Sequence, residues 1–242
     1  MTAKTQLDAF FSGVIGQDYE MLNLICPLAT EMSRLVGQTA AAYSSPAETL
    51  NLVELGSGTG ITTLSLLTSR DNLSILSIDN EPNQAKKNLK HWQDEGKLHF
   101  CGEDALTALT HIASDSVDIV ASAYTLHNFL NTYRADVIKE IFRILKPGGQ
   151  FINGDRYGLD NISEHTRIIQ QEVSAYFKVL RDIDRLDLLE HWIVHLFNDE
   201  SENHVMRTSV ALKQLADAGF TDINLSHRLE VNALVTALKS ER

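Results

Sequence analysis

Leu50-Asn-Leu-Val-Glu-Leu-Gly-Ser-Gly-Thr-Gly60 runs from an apolar, strand-like stretch into three alternating glycines, and the helical Ile61–Leu67 follows at once. Glycine permits positive φ and lets a ligand approach the backbone, while a helix start offers N–H donors without intrahelical partners. A nucleotide-like ligand is expected there. A dinucleotide fingerprint asks for glycine at the sixth position of G-x-G-x-x-G; that position is Ile61, and the third glycine comes one residue early, at Gly60. The spacing weakens a nicotinamide-dinucleotide reading.

Outward from this loop, short apolar runs alternate with amphipathic stretches. Strands are expected at Leu50–Leu55, Leu73–Ile78, Lys97–Cys101, Val117–Ala123 and Gln150–Asn153, with helices between them. That alternation indicates parallel strands joined by crossover helices. Pro82 stands where a helix begins, Ala85, Leu89 and Trp92 share one face of it, and Gly96 stops it. Val137, Ile138, Ile141 and Leu145 form a stripe that ends at Lys146-Pro-Gly-Gly149. Residues 161–197 are helical and rich in large apolar side chains, which marks an insertion after strand five rather than another crossover. The chain closes with a helix around Val210–Ala218, a stop at Gly219, and strands near Ile223–Leu229 and Asn232–Leu238. Before the sheet, Met21, Ile25, Leu28, Met32 and Leu35 have helical spacing broken by Pro27, and Gly37 with Thr39–Pro46 reads as a connection.

The whole is expected to be one α/β domain: a Rossmann-like, seven-stranded, mostly parallel sheet with helices on both faces. Residues 1–46 would form an N-terminal helical cap, 47–155 the cofactor-binding core, 156–204 a helical insertion or lid, and 205–242 the closing helix and strands.

Composition narrows the partners. The 242 residues carry 21 Lys plus Arg against 32 Asp plus Glu, a formal charge of −11, and the cations are scattered. A long phosphate-tracking surface is disfavoured, so nucleic acid is not the expected partner. No apolar run reaches the roughly 20 residues of a membrane span, and the opening MTAKTQLDAFFSGVIGQ lacks a signal-like core, which points to the cytoplasm. Cys26 and Cys101 have no Cys-x-x-Cys spacing and read as reduced, buried thiols. A small-molecule acceptor and, in assembly, a homodimer are the partner expectations.

Acidic residues follow the strand ends in order. Asp79 closes strand two, nineteen residues past Gly60, where a carboxylate can accept ribose hydroxyls. Glu54 precedes the glycines, and Gly102-Glu-Asp-Ala105 follows strand three. Together these features resemble the class I S-adenosylmethionine-dependent methyltransferases. The resemblance covers residues 50–155 and the closing strands, and its order and spacing carry it rather than any one motif. It implies S-adenosylmethionine as cofactor, held at its methionine end by Glu54, Gly56, Gly58 and Gly60, at its ribose by Asp79, and at its adenine by Asp104. The flanking Ser57, Asn80, Glu103, Ala105 and Ala123 are expected to line the same site.

Within the class, the chain looks most like small single-domain members that include the carboxy-S-adenosylmethionine synthases. Val14-Ile-Gly-Gln-Asp-Tyr19 is similar to their Pro-Gly-Tyr entry, which implies that Tyr19 closes over the cofactor, although Gln17 and Asp18 replace the proline and glycine. The arginine with which those synthases hold a carboxylated substrate has no counterpart, since the aligned region falls near His195-Leu196.

Methyl transfer from a sulfonium chiefly needs alignment and exclusion of water. His127, after strand four, is the candidate general base, and Asp155, Arg156 and Tyr157, after strand five, are candidates to orient a polar acceptor, Asp155 and Tyr157 as catalytic groups. His191 and His195 are four apart on a helix with His204 beyond, but Trp192 stands where His-Glu-x-x-His needs glutamate, and no metal is expected. Three other readings stay open: chemistry on another part of the cofactor, a non-catalytic cofactor-binding subunit, and RNA methylation. Release of methylthioadenosine, binding without turnover, and steeply salt-dependent affinity for tRNA are their respective signatures.

Overall fold

The computed structural model describes residues 23–24, 26–45, 47 and 49–241. Strands β1 (Leu50–Leu55), β2 (Leu73–Ile78), β3 (Leu98–Cys101), β4 (Val117–Ala123), β5 (Leu145–Arg156), β6 (Thr221–Leu229) and β7 (Asn232–Leu238) form one sheet in the order β3-β2-β1-β4-β5-β7-β6. The first five run parallel, and β7 lies antiparallel between β5 and β6. The described helices are α1 (Pro27–Ala42), α2 (Ile61–Ser69), α3 (Asn83–Asn88), α4 (Lys90–Asp94), α5 (Ala105–Thr110), α6 (Asn131–Ile144), α7 (Ile162–Asp182), α8 (Leu189–Asp199) and α9 (Thr208–Ala218).

The apolar runs are nearly continuous because both faces of the sheet are covered. Leu52, Ile119 and Ile152 pack with Val36 of α1 and Leu64 of α2. Their strand neighbours Val53, Val120 and Phe151 pack on the other face with Val137 and Ile141 of α6 and Leu215 of α9. Successive strand residues point to opposite faces, so a strand inside a two-sided layer must be apolar at every position. Sheet order reverses between β1 and β4, and their carboxyl ends open the crevice where such sheets bind ligands.

Several expectations are corrected. Gly37 and Thr39–Ala42 are not a connection but the last turns of α1. A Cβ on Gly37 would stand 2.3 Å from Ser65 Oγ, so the small residues let α1 lie against α2, where Ser33 and Thr62 hydroxyls meet at 2.8 Å. Lys146-Pro-Gly-Gly149 belongs to β5, which starts directly after α6 and absorbs the extra residues as a register shift opposite Val117–Ile119. Lys146 there holds Asp118 at 2.8 Å. The helix after β2 breaks at Leu89 into α3 and α4, with Pro82 as the N-cap rather than the first helical residue. β3 begins at Leu98, one residue late, and β6 at Thr221, two residues early. The insertion is two helices, α7 and α8, joined through a 3-10 turn at Leu186–Leu188. Tyr176, Leu180 and Leu196 are buried within it, whereas Phe177 and Phe197 are exposed.

Candidate active site

The glycine loop turns sharply after β1. Gly56 and Gly60 take φ values of 79° and 93°, which a side chain rarely adopts. Gly56 has a second reason to be glycine, since a Cβ would meet Thr125 Oγ1 at 2.0 Å. Gly58 faces open space, with nothing within 4 Å of where its Cβ would be. Asp79, at the end of β2, ties the loop down: Oδ2 accepts from Gly58 N at 2.8 Å and Ser57 Oγ at 3.3 Å, and Oδ1 accepts from Glu81 N at 2.8 Å.

Part of this loop lines a cavity of about 650 Å³ at the carboxyl edge of the sheet. Gly56, Ser57, Gly58, Asp79 and Asn80 form one wall. Glu103, Asp104 and Ala105 form another, with Ala123 at the end of β4. Asp104 also caps α5, accepting from Thr107 N at 3.1 Å and the Tyr133 hydroxyl at 2.9 Å. The hydrogen bonds from Thr107 and Tyr133 hold its carboxyl below the usual range. Thr125, just past the end of β4, lines the cavity too, as does Tyr133 of α6, which carries no local sequence signal because it reaches the cavity from a helix.

Gly60 and Glu54 stand behind the wall rather than on it. Gly60 caps α2, and its carbonyl accepts from Leu64 N at 2.8 Å. Glu54 is fully buried; Oε2 accepts from Thr63 Oγ1 and Ser77 Oγ, both at 2.7 Å, while Oε1 has no partner among the described residues. Burial, opposed by the two hydroxyls and reinforced by the Asp79 charge, pushes its carboxyl up to about 7. Tyr19 lies outside the described residues.

A second cavity, of about 170 Å³, adjoins the first, and Ala29, Tyr124 and Asn128 line both. His127 enters it from the turn after β4. Its Nδ1 lies 2.5 Å from Asp155 Oδ1, so the ring is fixed with Nε2 toward Asp199 Oδ2, 3.6 Å away on α8. Arg134 holds this turn from beneath. It is fully buried and donates to the carbonyls of Leu126 at 2.8 Å, Phe129 at 2.7 Å and His204 at 2.6 Å. Burial lowers its guanidinium to about 10, against the opposing pull of Asp155.

Of the candidates at the end of β5, Asp155 and Tyr157 do not line the second cavity. Asp155 is fully buried and accepts from Leu126 N at 3.0 Å, Arg156 N at 2.8 Å and Asn153 Nδ2 at 3.3 Å besides His127. Burial alone would raise its carboxyl, but the adjacent His127 ring and these donors bring it below the ordinary range. Tyr157, expected as a catalytic group, is buried in the apolar layer under α6 and α9, with Asn153 Nδ2 donating to its hydroxyl at 2.8 Å. Burial, joined by the Asp155 charge, raises this phenol far above its usual range. Arg156 does line the second cavity, but its guanidinium already grips Glu172 at 2.8 and 3.0 Å and Glu200 at 3.2 Å.

Residues 53–153 match the family described as a methyltransferase domain. The demethylmenaquinone methyltransferase of Leptospira interrogans is 37% identical over 109 residues, which are 44% of this chain and 43% of that protein. The carboxy-S-adenosyl-L-methionine synthase of Pseudoalteromonas atlantica is 25% identical over 210 residues, 85% of this chain and 82% of that one. Among solved structures, an O-methyltransferase family protein from Burkholderia thailandensis superposes with a TM-score of 0.64 at 15% identity, over 95% of this chain and 62% of that chain. The chain thus spans less than half the length of the Leptospira relative. Residues 53–153, which carry the second half of β1, β2 to β4 and most of β5, thus match a methyltransferase domain. The residues of the first cavity fit S-adenosylmethionine as cofactor: an open glycine cradle at Gly58 and an acid after β2.

Proposed function

We propose that the protein transfers the methyl group of S-adenosylmethionine to a small-molecule acceptor seated in the second cavity. The observation that carries this reading is the junction of the two cavities at Tyr124, Ala29 and Asn128, with His127 among the polar groups beyond it. When bound, the cofactor supplies a sulfonium-activated methyl carbon. What remains for the chain is to hold the acceptor in line, keep water out and handle the acceptor's proton.

Tyr176, Trp192 and Leu196 wall the second cavity with apolar surface, which suits an acceptor with a ring or alkyl body and one polar atom. His127 is the group that activates that atom: Asp155 holds Nδ1, so Nε2 is the nitrogen directed at the acceptor. Asp155 acts through His127 as a positioning residue. The acidic chain and the scattered cations favour a small molecule over RNA, and among the described residues no helix is long and apolar enough to cross a membrane.

The test is His127→Ala, assayed in the presence of metabolite fractions for S-adenosylhomocysteine release. Turnover is expected to fall by about 10²-fold or more, the usual contribution of a positioned acid or base, with cofactor affinity unchanged. Undiminished turnover in a folded variant would remove His127 from the mechanism. The likeness to a carboxy-S-adenosyl-L-methionine synthase over most of the chain supports a second reading, modification of the cofactor itself. Mass spectrometry after incubation of cofactor with metabolite fractions separates the two: S-adenosylhomocysteine with a methylated acceptor supports the first reading, and a carboxylated cofactor supports the second.

A further inference from the structure

Asp199 is 6% exposed, yet its Oδ1 has no hydrogen-bond partner among the described residues. Its Oδ2 lies 3.6 Å from His127 Nε2 and 3.5 Å from His195 Nε2. Both separations exceed a good hydrogen bond, so the three side chains surround a point without satisfying one another. The three donor atoms all lie within 4.8 Å of each other. A zinc-type cation with bonds of about 2.0–2.2 Å sets tetrahedral ligands about 3.3–3.6 Å apart, which matches the two measured edges. The third edge closes by rotation of His195, whose side chain is 44% exposed and has room to turn.

We propose that His127, His195 and Asp199 form a site for a divalent first-row cation, zinc by its donor set, with an open position facing the second cavity. Three further features agree. His127 Nδ1 is held by the buried Asp155 at 2.5 Å, the carboxylate–histidine arrangement that fixes the tautomer of a metal-ligating imidazole. His195 and Asp199 are one turn apart on α8, so one helix presents both ligands and the turn after β4 presents the other. The positive charge closest by, Arg156, is matched by Glu172 and Glu200 and does not oppose a cation at Asp199. His191 and His204 are not part of the set: His191 is exposed on α8, and His204 Nδ1 pairs with Ser201 Oγ at 2.8 Å.

The site rests on the proposed function and refines the role of His127, which acts through the cation rather than by taking a proton itself. The open position fits an oxygen ligand of phenol, enol or alcohol type. Coordination releases the hydroxyl proton to solvent; the oxygen lone pair then forms the O–CH3 bond while the S–CH3 pair returns to sulfur, giving S-adenosylhomocysteine.

The experiment titrates the chelator-treated protein with Co²⁺, followed by its visible absorption, and with Zn²⁺ by calorimetry, in parallel with S-adenosylmethionine titrations. One equivalent of metal is expected, with at least tenfold weaker binding in His195→Ala and in the near-isosteric Asp199→Asn. Exposed His191→Ala is expected to bind as the parent does. S-adenosylmethionine affinity should be unchanged in all three variants, so failure of the metal site and failure of the methyltransferase reading are distinguishable. Absence of stoichiometric binding, or binding that survives in both His195→Ala and Asp199→Asn, or equal loss in His191→Ala, overturns the site and leaves His127 as a direct base.

Discussion

Replacing Asp79 with alanine tests the placement of the cofactor most directly. A carboxylate offers about four acceptor positions, and Asp79 uses three on Gly58 N at 2.8 Å, Glu81 N at 2.8 Å and Ser57 Oγ at 3.3 Å. The position left open, together with the long Ser57 contact that a ligand can displace, is what a ribose hydroxyl pair would take. A charge-assisted hydrogen bond typically contributes about 1.5–3 kcal/mol, so losing one raises the dissociation constant about 10- to 150-fold. Losing both ribose contacts moves the effect to the upper end. The two backbone N–H groups released by the substitution are solvent-accessible, and the fold itself should tolerate the change. Asp79→Asn keeps an oxygen for Gly58 N and gives an intermediate affinity, whereas collapse of the loop would affect melting temperature and affinity together. Calorimetric titration with S-adenosylmethionine, checked by thermal unfolding without ligand, supplies both quantities. A folded Asp79→Ala protein that binds with parental affinity would refute the placement of the ribose at β2.

The glycine loop gives a paired prediction: both Gly56 and Gly58 have positive φ, 79° and 48°, so alanine strains the backbone at each, but Gly56→Ala should lose more stability because only its Cβ meets Thr125 Oγ1, at 2.0 Å, while Gly58→Ala, with open space around its Cβ, should mainly weaken cofactor binding. Thermal unfolding and ligand titration of the two proteins check it, and equal melting temperatures would count against the contact. Glu54 predicts a pH dependence. Its carboxyl is raised from 4.5 to about 7 in the fold, so the native state binds the proton more tightly; the stabilisation is complete below about 4.5 and is lost as pH rises through about 7. The 2.5-unit difference amounts to about 3 kcal/mol, and Glu54→Gln should flatten denaturant stability between pH 5 and pH 8 by an effect of that order. An unchanged slope would show that Glu54 is not the group titrating.

Most of the nucleotide half of the molecule was legible along the chain because each part has a local cause. Apolar runs at every position mark strands covered on both faces, and β1, β2, β4 and β7 have the boundaries their sequence implies. Positive φ at Gly56 and Gly60 is a backbone demand that only glycine meets cheaply, and an acid directly after β2 or β3 falls on the ligand edge by topology alone. The second cavity was far less legible. Alternation along β5 puts Asn153, Asp155 and Tyr157 on one face and Arg156 on the other, a period-two signal that separates Tyr157 from any acceptor on the Arg156 side.

Length, charge, the alternation of strands and helices, and the glycine loop with its ordered acids are therefore properties of the sequence itself, since each depends on neighbours a few residues away. Tertiary structure alone decided that Gly37 is a helix contact against Ser65 and that β7 slots between β5 and β6. It also decided that His127 meets Asp155 from the next strand and faces Asp199 and His195 from an inserted helix. Those encounters join residues from 28 to 72 positions apart in the chain. No local periodicity encodes such distances; packing of the helices against the two faces of the sheet brings the residues together.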